Sequence, residues 1–215
     1  YTTSVYMYSE GTYFPLFPTS IQSQPTQVAP SDRDMEREMI RYDIEESGKL
    51  IGLSPRQRDE YLVYLDSAAS RYKLPLILIH TMVYVESAYD PSAAHPQISV
   101  KGKKTHALGL MGIVWEYNGE ALMKEGIAVS KLELTEPKTN LMAGAYIIHL
   151  DISEIFAKNP NLKEDMFFDE LIKKYYGAYD GNYKTRMMTK IKDISSKQWI
   201  RRAVKNILVN YKVAP

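Results

Sequence analysis

The stretch PLILIHTMVYVESAYDP, residues 75–91, decides the fold, because it is apolar along most of its length and then meets a carboxylate. Pro75 can open a helix, since a proline in the first turn gives up no helical hydrogen bond. The residue before Pro91 disfavours a helical backbone, so the helix is predicted to cover residues 76–89. The glutamate in this helix therefore lies where burial of a charge is costly.

Glu86 falls in the last turn of the predicted helix. The residues three, four and seven positions before it share its face, and all are apolar: Val83, Met82 and Ile79. Partial burial disfavours the anion, and so does the negative end of the helix dipole, so both should raise the pKa of the carboxyl. Such a carboxyl can protonate a leaving oxygen, as in glycosidic bond cleavage. A glutamate paired with Arg or Lys at the core edge would fit the same pattern.

The rest of the chain also reads as helical. A first helix is predicted from residue 31 or 32 to about Glu46 and to stop at Gly48. A second is predicted to begin at Pro55 with Ser54 as its N-cap. Further helices are predicted over about 117–125, 138–157, 164–176, 183–194 and 196–210. No alternating pattern longer than a few residues predicts a strand, so the fold class is mostly α.

Composition limits the possible functions. A chain of 215 residues with 45% hydrophobic content is enough for one main domain. The 27 Lys and Arg nearly balance the 26 Asp and Glu, which gives no argument for a nucleic-acid partner or a membrane surface. The absence of cysteine excludes disulfides, thiolate zinc sites and a cysteine nucleophile. No apolar stretch approaches the ~20 residues of a transmembrane segment.

Residues 1–30 differ from the rest of the chain in composition and pattern, with four prolines, many Ser, Thr and Gln, and no apolar periodicity. They are predicted to be an extended arm or linker, followed by a helical domain over 31–215. Aromatic residues in the arm would let it bind the domain or a protein partner.

Four short motifs follow one another along the chain: Glu86-Ser87, Gly109-Leu110-Met111, Asn140 with Gly144, and Tyr176-Gly177. Their order and spacing resemble those of the single-glutamate lytic transglycosylases of the goose-lysozyme-like superfamily. The resemblance covers about residues 72–190 and implies a lysozyme-like helical domain.

The resemblance also implies an activity, cleavage of the MurNAc–GlcNAc bond of peptidoglycan with formation of a 1,6-anhydro-MurNAc end. Glu86 matches the family's one catalytic residue, which acts as general acid and then as base. The positions that match substrate-binding or cleft-lining residues are Ser87, Gly109, Leu110, Met111, Asn140 and Tyr176. The implied site needs no cofactor. Such a substrate implies a periplasmic or extracellular location, and a signal peptide is expected to be missing from this chain, which begins at Tyr1.

The sequence departs from the family pattern at several positions. Gly112 stands where the family has glutamine, and Ile147 where it often has tyrosine, with Tyr146 one step away. Tyr175 or Tyr179 could replace Tyr176 as the site tyrosine.

Two other functions stay open at this point. A goose-type lysozyme would hydrolyse the same bond with water, and a non-catalytic cell-wall-binding or assembly module could keep the fold without the reaction. The four histidines are scattered without metal-ligand spacing, so no metal site is expected. The basic stretch 184–205 reads as a solvated face that could also attract an anionic polymer.

Overall fold

The computed structural model describes residues 32–176 and 181–194 together with positions 207 and 211. The chain divides into two units, Tyr1–Pro30 and Ser31–Pro215, and all described residues belong to the second. The predicted arm over 1–30 lies outside the described residues. So does nearly all of the predicted helix over 196–210.

The described residues form seven α-helices, and the prediction of a mostly α fold is confirmed. The helices are α1 (Asp32–Leu50), α2 (Pro55–Tyr72), α3 (Leu76–Ser87), α4 (Trp115–Lys124), α5 (Pro137–Lys158), α6 (Glu164–Tyr176) and α7 (Gly181–Ile194). Strands β1 (Gln97–Val100) and β2 (Lys103–His106) follow α3, and a 3₁₀ turn (Lys131–Thr135) precedes α5.

The hairpin of β1 and β2 was not predicted from the sequence. The strands are antiparallel, with Gln97 opposite His106 and Val100 opposite Lys103. Lys101 and Gly102 join them, both with positive φ (49° and 78°), as the right-handed twist of a two-residue hairpin requires. Four-residue strands with mostly exposed side chains have too short an alternation to stand out in a sequence.

Two predicted helix ends were wrong. Gly48 does not stop α1, which continues to Leu50. A Cβ at Gly48 would lie 2.8 Å from the side chain of Arg58, so this glycine allows α1 and α2 to approach closely. The second wrong end is that of α3, which was predicted to reach residue 89. The helix ends at Ser87, because Ala88 and Tyr89 both take the left-handed conformation (φ 48° and 69°).

The predicted cap of α2 is confirmed. The hydroxyl of Ser54 accepts the backbone N–H of Gln57, and the Gln57 side chain accepts the backbone N–H of Ser54 at 2.9 Å. This reciprocal pair satisfies two backbone donors that the first helical turn leaves free, and such a cap contributes about 1 kcal/mol.

Helix α3 occupies the centre of the domain. Ten of its twelve residues are buried, and it packs against α1, α2 and α7. Helix α5 packs against α2 and α6. A helix surrounded on all sides must be largely apolar all round, and residues 76–85 are so except for the buried His80 and Thr81. The end of α3 is therefore held rigidly, and it presents Glu86. None of the helices within 32–176 and 181–194 combines the length and apolarity needed to cross a bilayer.

Candidate active site

Glu86 lies in the last turn of α3, with its side chain 13% exposed. Burial raises the pKa of this carboxyl above its ordinary value, although a hydrogen bond from Tyr183 and the charges of His95 and Arg186 act in the opposite direction. The carboxyl thus keeps its proton to a higher pH than an exposed glutamate does. A proton donor needs this property at neutral pH.

Tyr183, from α7, holds one oxygen of the carboxyl. Its hydroxyl donates to Oε1 of Glu86 at 2.8 Å, and the tyrosine itself is almost completely buried. Burial, with the nearby charge of Glu86, raises the pKa of Tyr183 far beyond its usual range, so the hydroxyl stays protonated and remains a donor. Oε2 of Glu86 is thereby left to carry the transferable proton.

His95 lies on the other side of the carboxyl. Its Nε2 is 2.8 Å from the carbonyl oxygen of Gly109, and because a carbonyl only accepts, this nitrogen carries the hydrogen. The ring is fixed in this way with Nδ1 3.9 Å from Oε2 of Glu86. An imidazole therefore borders the oxygen that Tyr183 leaves free.

Gly112 explains one departure from the family pattern. It has a positive φ of 58°, and a Cβ there would lie 2.7 Å from Oε2 of Glu86 and 3.1 Å from Cε1 of His95. A side chain at position 112, including the glutamine of the family pattern, would displace the carboxyl from its observed position.

Asn140 fixes the turn that precedes Gly112. It is fully buried, accepts the backbone N–H of Met111 at 2.8 Å, and donates to the carbonyl oxygens of Leu108 and Leu134 at 2.9 and 2.8 Å. A Cβ at Gly109 would lie 2.2 Å from the amide nitrogen of Asn140, so glycine is needed for this contact.

The predicted cleft-lining positions come together in space, but their side chains have different surroundings. Leu110 and Met111 are fully buried in the core, where the sulfur of Met111 lies against Gly144. Ser87 borders a cavity, and its hydroxyl donates to the carbonyl oxygen of Val83 at 3.1 Å. Ser87 thus lines the smaller cavity, whereas the turn reaches the larger cavity through Gly112 and Ile113 rather than through Leu110 or Met111.

Two tyrosines whose side chains the structure describes, Tyr175 and Tyr183, lie at the site. The side chain of Tyr176 and all of Tyr179 lie outside the described residues. Tyr175 lines the cleft and donates to the carbonyl oxygen of Met111 at 2.7 Å. Tyr183, which sequence reasoning missed, is the residue that contacts Glu86. Its neighbour Asn182 offered a signal, since the family tyrosine stands next to Asn or Gly.

Two cavities adjoin at Glu86. The larger measures about 590 Å³ and is lined by His95, Gly112, Asp151, Tyr175 and Tyr183 among others. The smaller measures about 550 Å³ and is lined by Ser87 and Lys190 among others. Glu86, Val85 and Arg186 border both. A polymer that occupied both cavities would thus place an internal bond beside the carboxyl.

Comparison with protein families gives a match over residues 63–164 to the transglycosylase SLT domain. This part of the chain is thus similar to an SLT domain. This match confirms the resemblance and supports a lysozyme-like fold and a lytic transglycosylase-type activity on peptidoglycan. The matched range contains Glu86, Asn140 and Asp151 and ends before Tyr175 and Tyr183. The curated proteins and solved structures compared with this chain gave no match.

Within the described ranges, no three His, Asp or Glu side chains lie close enough together to hold a metal ion.

Proposed function

We propose that this protein is a peptidoglycan lytic transglycosylase that cleaves the MurNAc–GlcNAc bond and leaves a 1,6-anhydro-MurNAc end. The observation that carries the proposal is Glu86, a largely buried carboxyl of raised pKa at the junction of two cavities in an SLT domain. Its exposure is small, yet it borders both cavities, so a substrate in either one can reach it.

The first step is proton transfer from Glu86. Oε2 gives its proton to the oxygen between C1 of MurNAc and C4 of GlcNAc as the C1–O bond breaks, and positive charge develops at C1. Glu86 is then a carboxylate. The hydroxyl of Tyr183 already donates to Oε1, so it stabilises the negative charge as that charge forms.

The second step restores the proton. The carboxylate removes the proton of the C6 hydroxyl of the same MurNAc, and O6 attacks C1 to close the 1,6-anhydro ring. One glycosidic bond breaks, one ether bond forms, and Glu86 ends protonated as it began. Because the nucleophile belongs to the substrate, the reaction needs no second carboxylate.

The other predicted positions support this site in different ways. We assign Asn140, Gly109, Leu110 and Met111 to building the turn that brings Gly112 against Glu86, and Ser87 to the wall of the smaller cavity. Substrate contact by Tyr176 stays a prediction.

Hydrolysis, as in a goose-type lysozyme, is the second candidate, and one observation favours it. A hydrolase that inverts configuration uses a second carboxylate to activate water. Asp151 is the carboxyl that borders the larger cavity together with Glu86 among the described residues. A non-catalytic wall-binding module has less support, because glycan binding alone does not require a carboxyl that retains its proton at the junction of the two cavities.

The proposed substrate sets the proposed location and partners. Peptidoglycan lies outside the cytoplasmic membrane, so the protein is proposed to act in the periplasm or outside the cell, with glycan strands as its partner. A protein partner for residues 1–30 remains a prediction.

Mass spectrometry of the soluble products from purified peptidoglycan tests the proposal. Muropeptides with anhydro ends are expected. Products with reducing ends would assign the chain to hydrolysis, and no soluble product would favour the binding module.

A further inference from the structure

Asp151 is a second acidic group in the cleft, on a different helix from Glu86. It lies on α5, where Gly144, Ile147 and Asp151 follow one another at helical spacing on one face. Met111 lies against Gly144, and both Ile147 and Asp151 line the larger cavity. This face of α5 thus forms part of the wall of the cleft.

The carboxyl of Asp151 lacks the partners that a buried acid normally has. The residue is 9% exposed, and its Oδ2 is buried without a hydrogen-bond partner among the residues that the structure describes. A buried polar atom left unpaired costs free energy, whereas an apolar side chain at the same position would cost none. A ligand in the cavity that supplied a hydrogen-bond donor would remove this cost.

The charged groups around Asp151 do not supply that donor. Lys174 of α6 lines the same cavity, but its ammonium lies 2.7 Å from Oε2 of Glu154. Glu154, three residues along α5, adds negative charge. Burial has the largest effect and raises the pKa of Asp151 to about 7, with Lys174 lowering and Glu154 raising it. The phenol of Tyr175 is occupied by the carbonyl oxygen of Met111.

We propose that Asp151 is a sugar-binding residue, whose carboxyl accepts a hydrogen bond from a hydroxyl or acetamido N–H of an amino sugar in the larger cavity. This inference rests on the proposed function, and it assigns that cavity to a sugar next to the cleaved bond. Oδ2 is enclosed in the observed conformation, and a partial rotation about the Cβ–Cγ bond, a torsion with a broad range in aspartate, turns it toward the cavity when the sugar binds.

Two features favour a neutral sugar over the ammonium group of a stem peptide. Lys174 lines the same cavity and would repel a second cation. Ile147 and Tyr175 line the cavity beside Asp151, and apolar and aromatic surfaces suit the C–H faces of a sugar ring. Asp151 then has a binding role rather than the water-activating role that hydrolysis would require.

Isothermal titration calorimetry with a peptide-free oligomer of N-acetylglucosamine tests this assignment. Glu86→Gln serves as the background, so that the oligomer is bound without being cleaved. Asp151→Leu is expected to weaken binding about tenfold, the usual effect of losing one hydrogen bond to a charged group. Asp151→Leu should also unfold at a higher temperature, since it removes an unpaired buried acid. Glu120→Gln, at an exposed position of α4 outside the cavity lining, should bind as the background does.

A pH series sharpens the test. The ionised carboxyl is the stronger acceptor, so the affinity of the Glu86→Gln background should increase between pH 6 and pH 8, and Asp151→Asn should remove this increase. His95 lines the same cavity and is present in both proteins, so the difference between them belongs to Asp151.

Unchanged affinity in Asp151→Leu would overturn the inference while leaving the proposed function intact. Weakening seen only with peptide-bearing muropeptides would also overturn it, in favour of the stem-peptide ammonium. If wild type and Glu86→Gln both fail to bind either ligand, the proposed function itself fails.

Discussion

The hydroxyl of Tyr183 lies 2.8 Å from Oε1 of Glu86, although the two residues are 97 positions apart in the chain. Helix α3 packs directly against α7, which brings the end of one helix beside the start of the other. The hydrogen-bonded pair of Glu86 and Tyr183, which we propose as the proton donor and its partner, thus comes from the central helix and from a helix beyond the matched SLT segment.

Tyr183→Phe tests the contribution of this hydrogen bond. Without it the carboxylate form of Glu86 is less stable, so the pKa of Glu86 should rise further and the alkaline limb of the rate profile should move to higher pH. The maximal rate should fall about tenfold, because the developing carboxylate loses a donor. Tyr175→Phe, which removes a cleft hydroxyl that does not contact Glu86, should leave the limb in place. If the rate fell at the same pH in the wild type, Tyr183→Phe and Tyr175→Phe, the role of Tyr183 in stabilising the carboxylate of Glu86 would be contradicted.

The pH dependence of the wild-type reaction follows from the raised pKa of Glu86. The acid must be protonated to start the reaction, so kcat/KM should be highest at low pH and fall as pH rises through the pKa of the folded protein. Because burial raises that pKa, the fall should begin above the ordinary range of a glutamate. The initial rate of peptidoglycan solubilisation from pH 4 to pH 9 measures it, and a rate that falls with an ordinary glutamate pKa would argue against a buried acid.

Asp151 should make the stability of the domain depend on pH. Its pKa is 3.8 when unperturbed and about 7 in the fold, so between these values the folded state binds more protons than the unfolded state. Stability contributed by the protonated form is therefore complete below pH 3.8 and is lost as pH rises to about 7. Chemical denaturation at pH 4 and pH 8 should show Asp151→Asn gaining stability over wild type only at the higher pH. A constant difference would mean that Asp151 titrates normally.

Gly112→Ala tests the contact between the turn and the carboxyl. Its Cβ would lie 2.7 Å from Oε2 of Glu86, so the variant should lose activity by about 100-fold as the acid is displaced. Gly52→Ala is the matched control, since Gly52 has a similar φ of 77° with no atom within 4 Å of the added methyl. Both variants should lose about 1 kcal/mol of unfolding free energy from backbone strain. Equal activity in the two would remove Gly112 from the site.

Asn140→Ala should destabilise the fold by about 3 kcal/mol, because it leaves the N–H of Met111 and the carbonyls of Leu108 and Leu134 without their partner. Thermal unfolding measures the loss. Asn118→Ala removes an amide that donates to the carbonyl oxygen of Val114, the N-cap residue of the same helix α4, and should cost about 1 kcal/mol or less. Similar losses would show that the turn does not depend on Asn140.

Local signals predicted the helices and the position of Glu86. The cap at Ser54 and the apolar run before Glu86 act over a few residues, and both are visible in the sequence. The end of α3 was predicted too late. A left-handed residue that ends a helix is usually a glycine, and here the left-handed residues are Ala88 and Tyr89.

The remaining site residues depend on tertiary contacts. Three of them line the cleft from separate parts of the chain: His95 from the segment before β1, Asp151 from α5 and Tyr183 from α7. Their distances from Glu86 along the sequence do not indicate that they lie near it in the fold. Gly112 appeared in the sequence as a departure from the family pattern. The reason for this departure is visible only in the fold, where the turn lies beside α3 and a Cβ at position 112 would meet Oε2 of Glu86.

The rate of peptidoglycan solubilisation by Glu86→Gln tests the central claim most directly. The amide keeps the shape of the side chain and the hydrogen bond from Tyr183 but has no proton to give, so turnover should fall at least 100-fold with the fold intact by circular dichroism. Glu120→Gln, on an exposed position of α4, should keep the wild-type rate. Turnover by Glu86→Gln close to that of Glu120→Gln would contradict the assignment of Glu86 as the acid.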